Sequence, residues 1–273
     1  MNEATAPDRP FAAGMYDYLL GGTANTAVDR ATVEQMLTVL PEMRQGAWAN
    51  RGFLQRAVAR MAGEWNINQF IDLGAGLPTQ RHTHEVVREL RPDGRVVYVD
   101  IDPMVIERGR TLLADEAGTD VLEADVRDAE RVLTAPETRA LIDFDQPVGL
   151  LMVAITHFVL DKDDPWGLVR RYVDAVPPGS YLAISAPTAD KQSARIRDAM
   201  LAGLAKTPTP AVERSLEEFS RFLDGLEIVP PYPGAEPAVA HIGQWGAEDP
   251  VAADDDGSRW WYAAVARKPS DER

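Results

Sequence analysis

The chain reads as an open α/β fold, a mostly parallel sheet with helices on both faces and a helical arm in front of it. Three observations predict this. Short apolar runs recur, and the first three carry or meet an acid: Phe70-Ile71-Asp72-Leu73, Val96-Val97-Tyr98-Val99-Asp100 and Val121-Leu122-Glu123-Ala124-Asp125. Stretches with helical spacing separate them, and strand–helix alternation implies parallel pairing with right-handed crossovers. The first run breaks on Gly74-Ala75-Gly76, the tight turn by which a buried parallel strand enters a helix.

Residues 1–66 form the arm and its helices within the same domain, and residues 67–273 form the ligand-binding part. In the arm, Phe11, Met15, Tyr16, Tyr18, Leu19 and Leu20 crowd before Gly21-Gly22. Such a segment either packs over a ligand as a lid or caps the sheet. From Asp29, Val33, Met36, Leu37 and Leu40 fall at i, i+3, i+4 and i+7 spacings until Pro41. A second helix covers 45–62, with Leu54, Val58 and Met61 on one face; Arg51, Arg56 and Arg60 read mostly as a solvated face.

Strand one is 69–73, and its helix runs from Thr79 or Gln80 to Leu90. Strand two is 95–99; Asp102-Pro103 then supplies an N-cap and a first-turn proline for a helix to about Glu116. Strand three ends by Ala124, and one or two helices broken at Pro136 reach Leu141. Strand four, 148–155, is continuous enough in apolar residues to be buried on both faces. Asp164-Pro165 caps a helix with Leu168, Val169, Tyr172, Val173 and Val176 inward, and Pro177-Pro178-Gly179 turns into strand five, 181–185. A helical stretch at 190–206, a helix marked by Leu216, Phe219, Leu223 and Leu226, and strand six at 226–229 follow. Residues 230–257 are rich in Pro, Gly, Ala and Asp, and the run Asp254-Asp255-Asp256 is expected in solvent. The last strand, 259–266, closes the domain.

With 273 residues and 45% hydrophobic content the chain can build a complete core. Its net charge of −15 argues against a nucleic-acid partner, because phosphate binding rests on clustered Lys and Arg. There is no cysteine, which excludes disulfides, thiolate catalysis and Cys-based zinc sites. Of the histidines at 82, 84, 157 and 241, His82 and His84 are spaced so that a helix does not bring them together, and no metal site is expected. No stretch resembles a signal peptide or is long enough to span a bilayer, so a soluble cytoplasmic protein without a membrane partner is expected.

The glycine turn could hold a pyrophosphate, but that fingerprint wants a third Gly or Ala where this chain has Thr79. The acids suit another ligand. Asp100 can accept both ribose hydroxyls of a nucleoside, and Asp125 can take a hydrogen bond from an adenine amino group. Three acids at successive strand ends fit an adenosine that carries a cationic group, as S-adenosyl-L-methionine does.

Asp72-Leu73-Gly74-Ala75-Gly76, Val97-Tyr98-Val99-Asp100-Ile101-Asp102-Pro103, Glu123-Ala124-Asp125-Val126 and Pro178-Gly179-Ser180-Tyr181-Leu182-Ala183-Ile184-Ser185 resemble the ordered motifs of class I S-adenosylmethionine-dependent methyltransferases. More narrowly, Met15-Tyr16-Asp17-Tyr18-Leu19-Leu20-Gly21-Gly22, Asp29-Arg30 and Gly76-Leu77-Pro78-Thr79 resemble an actinobacterial group of that superfamily, once classed as a domain of unknown function. The resemblance spans about residues 10–268 and is silent about the methyl acceptor.

It implies a Rossmann-like fold, a mostly parallel seven-stranded sheet with an antiparallel last strand, and S-adenosyl-L-methionine as cofactor. By that resemblance Gly74, Ala75 and Gly76 approach the amino-acid part and the ribose. Asp72 fixes the loop or meets the amino group through water. Asp100 and Ile101 serve the ribose, Asp125 and the Val126 amide the adenine, and Ala154 lines the end of strand four. Tyr16 lies over the methionine part, and Arg51, in the Asn50-Arg51 pair, neutralises the cofactor carboxylate. His157 stands where related enzymes face the acceptor; it either orients or deprotonates an acceptor group or braces the strand end. Tyr16 and Asp17 join His157 as catalytic candidates.

Methyl transfer asks mainly for alignment, worth roughly 7 to 11 kcal/mol, so a catalytic side chain need not announce itself. Two alternatives to an enzyme of this class stay open on the sequence: a cofactor-binding sensor without transfer activity, and, against the missing third glycine, a nicotinamide-dependent oxidoreductase. The arm and residues 190–225 are expected to shape a pocket for a small, partly apolar acceptor.

Overall fold

The computed structural model describes residues 9–78, 81–190, 198 and 210–270. In chain order the helices are α1 (Ala12–Leu19), α2 (Ala27–Leu37), α3 (Met43–Gly63), α4 (Thr83–Leu90), α5 (Pro103–Leu112), α6 (Ala129–Thr134), α7 (Pro136–Leu141), α8 (Pro165–Ala175) and α9 (Leu216–Ser220). The strands are β1 (Gln69–Leu73), β2 (Arg95–Asp100), β3 (Thr119–Glu123), β4 (Gly149–Val153), β5 (Tyr181–Pro187), β6 (Glu227–Ile228), β7 (Ala240–His241) and β8 (Trp261–Arg267).

They form one sheet in the order β3-β2-β1-β4-β5-β8-β6, with β7 also on β8. Strands β1 to β5 pair in parallel, and β8 runs antiparallel to β5, β6 and β7. The expected seven strands become eight because the lane outside β8 is split. Glu227 and Ile228 pair with Arg267 and Ala266, and Ala240 and His241 resume the lane opposite Ala263 and Tyr262. Pro230, Pro231, Pro233 and Pro237 lie between, and proline has no N–H to donate to a ladder.

Burial on both faces follows the period of two. Ile71, Leu73, Val97, Val99, Leu150 and Met152 pack beneath α6, α8 and α9, whereas Phe70, Val96, Tyr98 and Leu151 pack beneath α3, α4 and α5. Helix starts obey local chemistry. Thr26 and Asp29 form a reciprocal capping box on α2, and Asp102 and Asp164 accept the Met104 and Gly167 amides ahead of first-turn prolines on α5 and α8. Helix α5 stops at Leu112, short of the expected 116.

One expectation fails. The arginines of α3 are not a solvated face: Arg51 is buried, Arg56 Nε donates to the Trp245 carbonyl at 2.7 Å, and Arg60 lies over the Trp65 and Trp245 rings. The segment around β7 folds back onto α3 and meets Arg56 and Arg60, while Arg51 is enclosed on the cavity side beside Tyr16. The expectation that the acidic run lies in solvent holds for Asp255 and Asp256, which are exposed, while Asp254 is half-buried and bonded to His241 Nδ1 at 2.8 Å and to Arg259 at 3.0 Å. The expected helix at 190–206 and the helix start at Thr79 lie outside the described residues, apart from Asp190 and Asp198.

Candidate functional site

The carboxyl ends of β1, β2 and β4 open onto a cavity of about 450 Å³, within the usual range for small-molecule sites. Its floor is the turn after β1. The Gly74 and Ala75 amides both donate to the Val99 carbonyl, at 2.8 and 3.1 Å, which pins the turn to β2. Gly74 has φ +73°, and a Cβ there would sit 2.4 Å from Ile155 Cδ1. Only glycine meets both conditions.

Asp100 closes the next layer. One carboxylate oxygen accepts the Gly76 amide and the other the Asp102 amide, each at 2.9 Å, so a single side chain joins the loops after β1 and β2. Burial raises its pKa despite these bonds. Asp72 lies beneath the turn and accepts the Thr83 hydroxyl at 2.7 Å. Burial pushes its carboxyl up to about 6, against opposing effects of Thr83 and Arg51.

Arg51 reaches the cavity from α3. It is 4% exposed, its guanidinium lies 5.7 Å from the Tyr16 ring centre, and its Nε and Nη1 find no hydrogen-bond partner among the described residues. A buried cation with bare donors is costly, and one that lines a cavity is set to receive an anion from a ligand.

A chain of hydrogen bonds fixes the neighbouring wall. The Ala154 amide donates to Ser185 Oγ at 3.0 Å, Ser185 Oγ donates to Asn50 Oδ1 at 2.7 Å, and Asn50 Nδ2 donates to the Tyr16 hydroxyl at 2.8 Å. The Tyr16 hydroxyl in turn donates a hydrogen bond to the Ala47 carbonyl at 3.1 Å. Ala154 turns there with φ +58°, and α1 is thereby tied to α3 and β5. The phenol is satisfied, it lines the cavity, and burial raises its pKa.

Every residue read as cofactor-binding lines this one cavity: Tyr16, Arg51, Asp72, Gly74, Ala75, Gly76, Asp100, Ile101, Asp125, Val126 and Ala154. Ile101 stands at the rim, 59% exposed. Asp125 is not the free acceptor expected. Arg127 clasps both its oxygens at 2.5 to 3.0 Å and donates its amide as well; burial opposes this, but the carboxyl still ends below its ordinary range.

Of the catalytic candidates, His157 lines the cavity and Asp17 does not. Asp17 is buried behind α1, where one oxygen accepts the Ala24 amide at 2.9 Å and the Asn25 side chain at 2.8 Å. It closes the turn through Gly21-Gly22. His157, in the 3-10 turn Thr156–Phe158, is 5% exposed and packs edge-on to Trp261. Burial, then Arg214, pulls its pKa down to about 3, so the ring is neutral. His82 and His84 pack on Tyr98 outside the cavity.

Sequence reasoning missed Ser185, Ile155, Trp261, Arg127 and Arg214 as parts of the site. Arg127 was within reach, since it follows Asp125 by two residues. Trp261 opens β8 and meets the post-β4 turn only through the antiparallel pairing of β8 with β5.

The residues fit an S-adenosylmethionine-type ligand on these observations. Arg51 offers a cation for a carboxylate, Asp72 and Asp100 offer carboxylates for an ammonium and a ribose, and Leu54, Ile101, Val126 and Ile155 offer apolar walls. Strand order, the single antiparallel strand and this cavity define an α/β protein of the class I methyltransferase kind. The sequence profile of the S-adenosyl methyltransferase family matches residues 2–269, and the chain belongs to that family.

Solved structures agree. A candidate methyltransferase from Thermobifida fusca YX is 37% identical with a TM-score of 0.88 over 96% of both chains. A DUF574-family protein from Streptomyces avermitilis MA-4680 is also 37% identical, with a TM-score of 0.88 over 96% of this chain and 98% of its own. The N-methyltransferase NodS of Bradyrhizobium japonicum WM9, in complex with S-adenosyl-L-homocysteine, is 11% identical with a TM-score of 0.50 over 94% of this chain and all of its own, and shows the shared fold alone. A search of curated proteins finds no match. The protein is an S-adenosylmethionine-dependent methyltransferase rather than a nicotinamide-dependent oxidoreductase. No helix among the described residues is long and apolar enough to cross a membrane.

Proposed function

We propose that this enzyme methylates a small, partly apolar acceptor received between His157, Phe158 and Trp261, with the cofactor held by the residues at the ends of β1 and β2. The observation that carries the reading is one cavity joining a buried guanidinium with bare donors to two carboxylates, the buried Asp72 and the half-buried Asp100. When bound, S-adenosyl-L-methionine supplies an electrophilic methyl group. The chain's part is to bind, align and exclude water.

Arg51 pairs with the cofactor carboxylate and Asp72 with its ammonium. Asp100 takes the ribose hydroxyls with Ile101 beside it, and the Val126 amide and Asp125, braced by Arg127, meet the adenine. Gly74, Ala75, Gly76 and Ala154 let the backbone approach, and Tyr16, held by Asn50, closes the methionine side from the arm of residues 1–66. We further place the enzyme in the cytoplasm, with a small molecule rather than a nucleic acid as its partner; the acidic, cysteine-free composition supports both.

His157 acts as an orienting group. A ring with a pKa of about 3 is a weak base near neutral pH, yet a neutral imidazole can still hold an acceptor hydroxyl or amine in line. His157→Gln is expected to lower turnover by up to about 100-fold while leaving S-adenosylhomocysteine affinity unchanged. An acceptor screen with isotopically labelled cofactor checks this, and unaltered turnover would remove the role.

Asp72 gives the site a pH dependence. Its folded pKa is raised to about 6 from 3.8, so its stabilising contribution to the ligand-free fold is complete below about pH 3.8 and is lost as pH rises through 6. The pairing with an ammonium runs the other way, because it needs the carboxylate. Affinity for S-adenosylhomocysteine is expected to fall about tenfold per pH unit below 6 and to plateau above it. In Asp72→Asn the slope should vanish; calorimetry from pH 5 to 8 measures it.

A further inference from the structure

The turn that carries His157 is held from behind by a residue outside the cavity. Arg214 is 1% exposed. Its Nη2 donates to the Val159 carbonyl at 3.0 Å and its Nη1 to Asp161 Oδ1 at 2.8 Å, while its guanidinium faces the Trp166 ring at 4.8 Å and the Phe222 ring at 5.7 Å. The backbone beside it is pinned too. The Val212 amide donates to the His157 carbonyl at 2.9 Å, and the Arg214 amide to the Pro187 carbonyl at 3.3 Å. One short strap thus spans from the end of β5 to the turn after β4, and Pro210 at its start lines the cavity.

We propose that Arg214 is a positioning residue for the acceptor side of the site, fixing the turn that carries His157. This rests on the reading that His157 faces the acceptor. Two features point to Arg214 rather than to packing alone. First, its fork grips a backbone carbonyl two residues beyond His157, so the turn cannot shift without breaking a charge-assisted bond in a buried place. Second, its charge is the one that acts on His157. The rings packed against His157, Phe158 within the turn and Trp261 from β8, are uncharged. The other ionisable groups on the cavity wall are Arg51 on α3, Tyr16 on α1, Arg127 after β3, Lys162 and Asp163 after the turn, and the acids at and just beyond the strand ends, Asp72, Asp100, Asp102 and Asp125. Of all these, Arg214 supports the ring's neutrality in addition to burial.

An uncharged ring meets the acceptor as a hydrogen-bonding group without adding a positive charge beside the cofactor's cation. Loss of Arg214 therefore has two separable effects, a looser turn and an imidazole that protonates more readily.

The test follows the His157 Cε1–H signal by NMR against pH, assigned by its absence in His157→Gln, in the full chain loaded with S-adenosylhomocysteine. In the wild type the signal is expected to stay flat from pH 8 to 5. In Arg214→Gln, which keeps a donor and removes the charge, the titration should move upward by about one pH unit, so the signal begins to shift near pH 5. Arg214→Lys, which restores the charge, should return it to flat. Affinity for S-adenosylhomocysteine should be unchanged in both, since Arg214 lies outside the cavity. A flat Arg214→Gln signal in folded protein, or a wild-type His157 that titrates in the ordinary histidine range, would overturn the proposal. Normal turnover in His157→Gln would instead remove the acceptor reading and leave the titration result standing, so the two failures are told apart.

Discussion

Asp100→Ala is expected to weaken binding of S-adenosylmethionine and S-adenosylhomocysteine by about 100-fold or more in a protein that still folds. The size follows from two losses at one residue. The carboxylate meant for the ribose hydroxyls disappears, and the Gly76 and Asp102 amides lose their common acceptor, which frees the loops that shape the floor. Hydrogen bonds to a charged group contribute about 1.5 to 3 kcal/mol each, and one of that strength lost from the ligand already approaches the stated factor. Asp100→Asn separates the contributions: an amide oxygen can still accept one of the two amides, so affinity should recover in part while the protein's melting temperature stays near that of the wild type. Equal binding by wild type and Asp100→Ala in calorimetry would mean that the ligand sits elsewhere.

Arg51→Met should cost about 30-fold in affinity for S-adenosylhomocysteine and should leave 5′-methylthioadenosine binding unaltered. Only the first ligand carries a carboxylate, so the comparison isolates the contact that the bare Nε and Nη1 are set to make. The unbound protein should not be weakened by the change. Removing a buried cation with unmet donors relieves a desolvation cost, and methionine retains much of the packing against the Tyr16 ring. A rise or no change in melting temperature together with loss of the carboxylate preference is the expected pair of results. A uniform loss for both ligands would show that Arg51 only supports the wall.

Much of the cavity lining was readable from sequence because its residues sit at or near strand ends, and strand ends are local features. Asp72, Asp100 and Asp125 each follow or close an apolar run, and parallel pairing then brings them to one edge. The glycine turn was legible for the same reason. What the sequence did not expose depends on contacts between distant segments. Asp17 and Tyr16 are neighbours in an aromatic arm, yet Asn50 takes the tyrosine into the cavity wall while Ala24 and Asn25 take the aspartate out of it. Arg51, Arg56 and Arg60 share one helix, but the fold-back of residues 240–246 meets Arg56 and Arg60, while Arg51 is enclosed by the arm beside Tyr16. The split outer lane of the sheet was foreshadowed by its prolines, but its register needed β8. Arg214 sits in a stretch with no periodicity, and nothing local marks it as buried.

The central claim is that this cavity holds S-adenosylmethionine. Its most direct test is calorimetric titration of the purified chain with S-adenosylmethionine, S-adenosylhomocysteine and NAD in parallel at pH 7.5, above the Asp72 titration range. Micromolar binding of the first two at one site per chain, with no heat from NAD, is the predicted result. Binding of NAD alone, or of none of the three, would contradict it.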